Sequence, residues 1–222
     1  MATGVRLVVL GKQGAGKGTQ CVRLSHRYAV PHISTGDMLR AAVRNKTALG
    51  EQAKAFMDSG QLLPDELVMG VVDERLKERD ARTRGFLLDG FPRTVIQAQM
   101  LDEMLAKNGL DCVIDLDVPT EQVINRLVTR RVCEDCGAIY STAQPPTQGW
   151  VCDTCGGAVV QRPDDTADAI MVRLQAYEKE TRPLIDFYQE RGILEVIDGS
   201  KNPDRVFQAT VDAIESRKAN QA

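Results

Sequence analysis

The segment Gly11-Lys12-Gln13-Gly14-Ala15-Gly16-Lys17-Gly18-Thr19 stands directly behind the apolar stretch Val5-Arg6-Leu7-Val8-Val9-Leu10. A glycine-rich loop in that position joins a buried strand to a helix. Its glycines let successive N–H groups turn inward on one anion, and the following helix adds the partial positive charge of its N-terminus. Gly14, Ala15, Gly16 and Gly18 thus supply a phosphate cradle, Lys17 a mobile charge for β and γ phosphates, and Thr19 a hydroxyl near the metal of a nucleoside triphosphate. The general pattern places Ser or Thr directly after the lysine, whereas here Gly18 intervenes. By itself the loop says only that a nucleoside triphosphate is handled.

The rest of the chain must supply a sheet for that loop to sit on. Apolar or β-rich runs recur at Val5 to Leu10, around His32-Ile33, at Gly85 to Leu88, at Cys112 to Val118 and at Ile193 to Ile197, with helical patterns between them. This alternation predicts an α/β fold with a parallel five-stranded core, because parallel neighbours need crossovers and both sheet faces must then be covered by helices. Ligands belong beyond the carboxyl ends of such strands. Helices are predicted over Thr19 to Tyr28, Val95 to Lys107 and Glu121 to Arg131. A longer one starts near Thr166, with a kink at Pro183. Ser34 to Leu63 and the Cys, Gly and Pro-rich Arg130 to Asp165 break the alternation and are candidate inserted lobes.

At 222 residues the chain has room for one such core with insertions. Its 28 basic and 31 acidic side chains leave a net charge of −3, which gives no electrostatic footprint for nucleic acid or an anionic membrane. Any bound polyanion must be held by locally clustered arginines. No run approaches the roughly 18 apolar residues of a membrane span, and the first strand begins almost at once, so a cytoplasmic location is expected.

Four of the six cysteines form two pairs, Cys133-x-x-Cys136 and Cys152-x-x-Cys155, with 15 residues between the pairs. That spacing lets two thiolate pairs close on one tetrahedral zinc ion, and glycines at 137, 149, 156 and 157 suit the bends. With sulfur in every position such an ion is structural. The lobe around it has few apolar side chains, so a metal staple offsets its ordering entropy. Cys21 and Cys112 lie in helix and strand patterns and are expected in the core.

Further motifs complete the picture: Ser34-Thr35-Gly36-Asp37-Met38-Leu39-Arg40, Leu88-Asp89-Gly90-Phe91-Pro92-Arg93, Arg126 with Arg130-Arg131, Arg162-Pro163-Asp164-Asp165, and Arg173. Together, in this order and over essentially the whole chain, they resemble the adenylate kinase family in its long-lid form with a zinc-binding lid. The resemblance implies a magnesium-dependent, reversible phosphoryl transfer from ATP to AMP giving two ADP. It also implies a core at 1–33, 64–128 and 166–222, a monophosphate-binding lobe at 34–63, a lid at 129–165, and a monomer.

Residue by residue, the likeness places AMP against Thr35, Arg40, the backbone of Gln61, Leu62 and Leu63, the segment Gly90, Phe91, Pro92 and Arg93, and Gln97. ATP would lie on Gly14 to Thr19, with Arg126 against adenine, Arg130 on phosphate, and Ile139, Tyr140 and the Lys201 backbone as further adenine contacts. Lys17, Arg93, Arg130, Arg162 and Arg173 would serve the transferring group, Arg162 and Arg173 reaching AMP as well. Arginine suits these places because its planar fork matches phosphoryl oxygens, which a lysine cannot do.

Asp89 ends an apolar strand, where a carboxylate needs a cation or water, and is expected to orient water around Mg2+. A turn cap before Gly90 is the other role open to it. No histidine is needed as a base, since a monophosphate oxygen is already ionised, so His26 and His32 receive no catalytic role. Gln13 stands where the family usually has proline, which predicts altered loop rigidity. Two alternatives stay open on sequence alone: a nucleotide-regulated binding protein whose zinc ribbon grips nucleic acid or a partner, and a kinase for another monophosphate. Thr35 and Gln97 favour AMP only through the resemblance.

Overall fold

The computed structural model describes residues 4–221. Five parallel strands form the central sheet in the order β2-β3-β1-β4-β8: β1 (Arg6–Leu10), β2 (His32–Ser34), β3 (Phe86–Asp89), β4 (Cys112–Asp117) and β8 (Leu194–Asp198). All five coincide with the apolar runs within a residue or two. Strands β1, β3 and β4 are buried along nearly their whole length and so read as continuous apolar runs, while the edge strand β8 is half exposed.

The register sends alternate side chains into two cores. Leu7, Val9, Leu87, Ile114 and Leu116 meet α1 (Lys17–Tyr28), α7 (Thr120–Thr129), α8 (Ala167–Ala176) and α10 (Pro203–Gln221) through Leu24, Val123, Leu127, Ile170 and Val206. On the opposite face Val8, Leu10, Ile33, Leu88 and Val113 meet α4 (Asp65–Lys77), α6 (Val95–Leu105) and α9 (Pro183–Glu190) through Val72, Ala98, Leu101 and Tyr188. Short α5 (Arg79–Arg84) leads into β3.

The two irregular stretches are separate small units. Residues 34–59 form a pair of helices, α2 (Thr35–Arg44) and α3 (Ala48–Ser59). Ser34 caps the first by accepting the Asp37 N–H, and Thr47 caps the second by accepting the Gly50 N–H. The cysteine-rich stretch forms a three-stranded antiparallel sheet in the order β6-β5-β7: β5 (Arg130–Cys133), β6 (Ile139–Ser141) and β7 (Val159–Val160).

Three helix boundaries differ from the sequence expectation. The helix predicted to run to Arg131 stops at Thr129, because Arg130 turns extended and pairs with Ser141 across β5 and β6. The one predicted to reach Lys107 leaves α geometry at Leu105 and closes with a tighter turn at Ala106–Asn108. The irregularity tied to Pro183 is a wide π turn at Tyr177–Thr181, which passes the proline's missing N–H to the start of α9.

Candidate active site

The carboxyl ends of the strands set the site. The phosphate loop follows β1, Thr35 follows β2, Gly90 to Arg93 follow β3, and the Gly199 to Lys201 turn follows β8. Gly14 has φ +84°, and a side chain there would begin 2.9 Å from Leu127 Cγ and 3.0 Å from the Val123 carbonyl oxygen. Glycine is therefore required by both conformation and space. Helix α1 starts behind Gly16 with no side-chain cap, which leaves its first N–H groups for an anion. Lys17 Nζ donates to the carbonyls of Gly11 (2.6 Å) and Lys12 (2.9 Å), folded back on its own loop. Desolvation holds its ammonium below the usual lysine range against the opposing pull of Asp89. The Thr19 hydroxyl residue is exposed at the start of α1.

Arg126 bridges the loop to the far edge of the sheet, donating to the Ala15 carbonyl (3.3 Å) and the Gly199 carbonyl (3.2 Å). Its guanidinium thus lies between the phosphate cradle and the turn that carries Lys201. In the cysteine sheet Ile139 reaches over the loop, its Cδ1 3.8 Å from where a side chain on Gly18 would begin. Tyr140 turns the other way, with its hydroxyl 3.4 Å from Cys152 Sγ and accepting the Asp153 N–H at 2.9 Å.

A second cleft opens beside the loop, between the helical pair and the core. Thr35, Arg40, Gln61, Leu62, Leu63, Gly90, Arg93, Gln97 and Arg173 all line it. Phe91 does not, since its ring is fully buried in the core and only its backbone belongs to the segment. Pro92 and Arg162 also lie outside the cleft wall. Sequence reasoning missed Leu39, Met57 and Val68, an apolar wall whose signal was present as helical spacing in 38–69. Gln13, noted only as a departure from proline, also lines this cleft and so faces both anion sites. Thr35 Oγ1 donates to the Gly90 carbonyl (2.9 Å), while Gln97 accepts the Arg93 N–H (2.7 Å) and donates to Asp65 (2.6 Å). Those bonds fix the turn after β3, so Arg93 is held by a buried amide.

The arginines form one electrostatic cluster. Burial and then the charges of Arg40 and Arg130 bring Arg162 down to about 10. Arg93, solvent-accessible yet walled in by the cleft, is lowered first by desolvation and next by Arg173 and Arg40. Acidic partners hold the set in place: Arg130 Nε and Asp165 Oδ2 at 2.8 Å, Arg173 on Asp164, and Arg40 on Asp37 at 2.5 Å. Arg173 also donates to the Met57 carbonyl (3.3 Å), tying α8 to the helical pair. Mutual repulsion among these cations is what a bound polyanion relieves.

Asp89 is buried at the end of β3 with Oδ2 3.2 Å from His32 Nε2. His32, given no part from the sequence, therefore orients that carboxylate. The four lid cysteines are free thiols brought together from both pairs, with Sγ–Sγ 3.4 Å for Cys133–Cys155 and 3.6 Å for Cys136–Cys152. A disulfide needs about 2.05 Å, whereas a tetrahedral zinc–thiolate site has sulfur edges of roughly 3.8 Å. The spacing fits the metal. No helix of the described residues is long and apolar enough to cross a membrane.

Comparison with known proteins agrees with this geometry. The family model described as adenylate kinase matches residues 9–193. Curated relatives named adenylate kinase include one from Desulfitobacterium hafniense, 50% identical over 95% of this chain and 98% of its own length. Another, from Carboxydothermus hydrogenoformans, is 48% identical over 95% of this chain and its whole length, and one from Archaeoglobus fulgidus is 47% identical over 97% and its whole length. A phosphate loop and a second cleft sharing one arginine cluster, on a chain matched end to end at this level, place it in a family: the chain belongs to the adenylate kinases and is a nucleoside monophosphate kinase.

Proposed function

We propose that the chain moves the terminal phosphoryl group of ATP onto AMP, reversibly and with Mg2+, giving two ADP. One observation carries this reading: Arg40, Arg93, Arg130, Arg162 and Arg173 form a single cationic cluster at the junction of the phosphate loop and the second cleft. Two polyanions must approach each other for transfer, and the transition state spreads charge over the phosphoryl oxygens. Fixed guanidinium forks answer both needs, because they neutralise repulsion without reorganising at the moment of reaction.

The loop N–H groups and Lys17 hold the ATP phosphates, and Arg126 lies along adenine with Ile139 and the Lys201 backbone. AMP occupies the second cleft, its phosphate on Arg40, Arg93 and Arg173 and its base against Thr35, Leu39, Leu63 and Gln97. The attacking oxygen of a monophosphate is ionised at neutral pH, so no side chain must take a proton. Thr19 and, through water, Asp89 would hold Mg2+, which neutralises phosphate charge when bound. The cysteine sheet serves as a lid at 129–165 and the helical pair at 34–63 as the monophosphate lobe. Closing the first over the second excludes water and leaves the AMP oxygen as the only acceptor.

Zinc on Cys133, Cys136, Cys152 and Cys155 holds the lid together and leaves no vacancy for a nucleotide oxygen. A cytoplasmic monomer, free of nucleic acid and membrane, is the setting that fits this role. A coupled assay tests the reading: ATP consumption should depend on AMP, and equal consumption without AMP overturns the transferase. A panel of AMP, GMP, CMP and UMP tests the acceptor, with AMP expected to be used best.

A further inference from the structure

Three side chains from three separate elements converge behind the phosphate loop. Cys21 sits one helical turn after Lys17 on α1 and is fully buried. His32 opens β2, and Asp89 closes β3, two strands paired in register beside each other. Cys21 Sγ, a His32 ring nitrogen and an Asp89 oxygen all lie within 4.8 Å of one another. The His32–Asp89 edge is 3.2 Å, against roughly 3.3 Å for two nitrogen and oxygen ligands on a tetrahedral zinc.

We propose that Cys21, His32 and Asp89 form a second metal site, specific for a thiophilic divalent cation such as Zn2+, whose occupation inhibits the enzyme. A thiolate and an imidazole select such an ion over Mg2+, which prefers oxygen ligands alone. The charges balance, since a thiolate, a neutral imidazole and a carboxylate offset two positive charges, and the thiol proton leaves to solvent. Lys17 lies within electrostatic reach of Asp89 and Cys21, with its ammonium bonded to the carbonyls of Gly11 and Lys12. His32 and Asp89 keep 18% and 12% of their side-chain surface open, so the ion enters from the cleft and the buried sulfur closes the inner side. Three protein ligands leave the fourth position facing the cleft. The inhibition rests on the role proposed above for Asp89, because an ion on its carboxylate withdraws it from the water around Mg2+.

The test uses the full chain with its lid cysteines already loaded. Elemental analysis after equilibration with buffered micromolar free Zn2+ should find two zinc ions per chain, and one in Cys21→Ala. In the direction that consumes ADP, half-inhibition by free Zn2+ should need at least about tenfold more metal in Cys21→Ala than in the native protein. Cys21→Ser keeps the volume of the buried side chain and should behave alike if the alanine variant folds poorly. A single zinc in the native chain overturns the site, as does a second zinc that persists in both Cys21 variants. A second zinc that Cys21→Ala removes, without inhibition of the native enzyme, keeps the site and overturns the role of Asp89.

Discussion

Arg130 and Asp165, 35 residues apart, close a two-pronged ion pair at the neck of the cysteine lobe. The Asp165 side chain has no exposed surface and that of Arg130 only 12%. Breaking one half of such a buried pair leaves the other charge uncompensated, at a cost of about 3–5 kcal/mol. Trp150, the only tryptophan, lies in this lobe and reports on it alone. Asp165→Ala is expected to lower the denaturation midpoint followed by Trp150 fluorescence, and to lower kcat as Arg130 loses its aim. An unchanged midpoint means that the pair does not hold the lobe.

Lys17→Met and Arg93→Met should each reduce kcat at least about a hundredfold, because each removes a charge from the transferring group. Neither side chain is anchored in an apolar core. Lys17 bonds only carbonyls of its own loop, and Arg93 Nε only the Gly90 carbonyl at 2.8 Å. Thermal unfolding should therefore shift by no more than a few degrees. Near-normal kcat in a folded variant would falsify the assigned role.

What the sequence made legible follows from range. The phosphate loop, the five strands and the Cys-x-x-Cys pairs are written within a few consecutive residues, and local periodicity or spacing suffices for them. The partners that hold the site are not local. His32 meets Asp89 across 57 positions, and Asp165 meets Arg130 across 35. Nothing in either neighbourhood marks the pairing until β2 lies beside β3 and the lid strand folds back. Arg130 shows the same limit in secondary structure. Its segment continues a helical pattern, and the strand partner that overrides it, Ser141, comes eleven residues later.

Asp115 sits in β4 on the face that carries Val113, with Oδ1 lacking any hydrogen-bond partner among the described residues. Burial first, and Asp117 second, push its carboxyl up to about 6, against the pull of Lys17 and Lys12. An unfolded aspartate titrates near about 3.9. Between those values the folded chain keeps a proton that the unfolded chain has lost, so this group's contribution is present below pH 4 and lost as pH rises through 6. A shift of about two units corresponds to on the order of 3 kcal/mol. Asp115→Asn stays neutral throughout. Its Tm advantage over the native chain should widen from pH 5 to pH 8, and a gap that does not change with pH refutes the assignment.

The last expectation concerns the lid cysteines. Cys133 and Cys152 are buried and pack with Val159 in a small cluster that Ala138 and Tyr140 only partly cover, so the sulfurs lie at its centre. A core of that size does not offset the entropy of ordering some 35 residues without a metal. Chelation or Cys152→Ser should therefore open 130–165 to protease, while the five-stranded core stays folded. Activity should survive in part at low temperature and fail on warming, once the lid no longer closes as a unit. Elemental analysis comes first: fully active protein without bound zinc removes the basis of the argument. Activity lost on chelation at every temperature, with the lid still protease-resistant, would instead make the metal part of the chemistry.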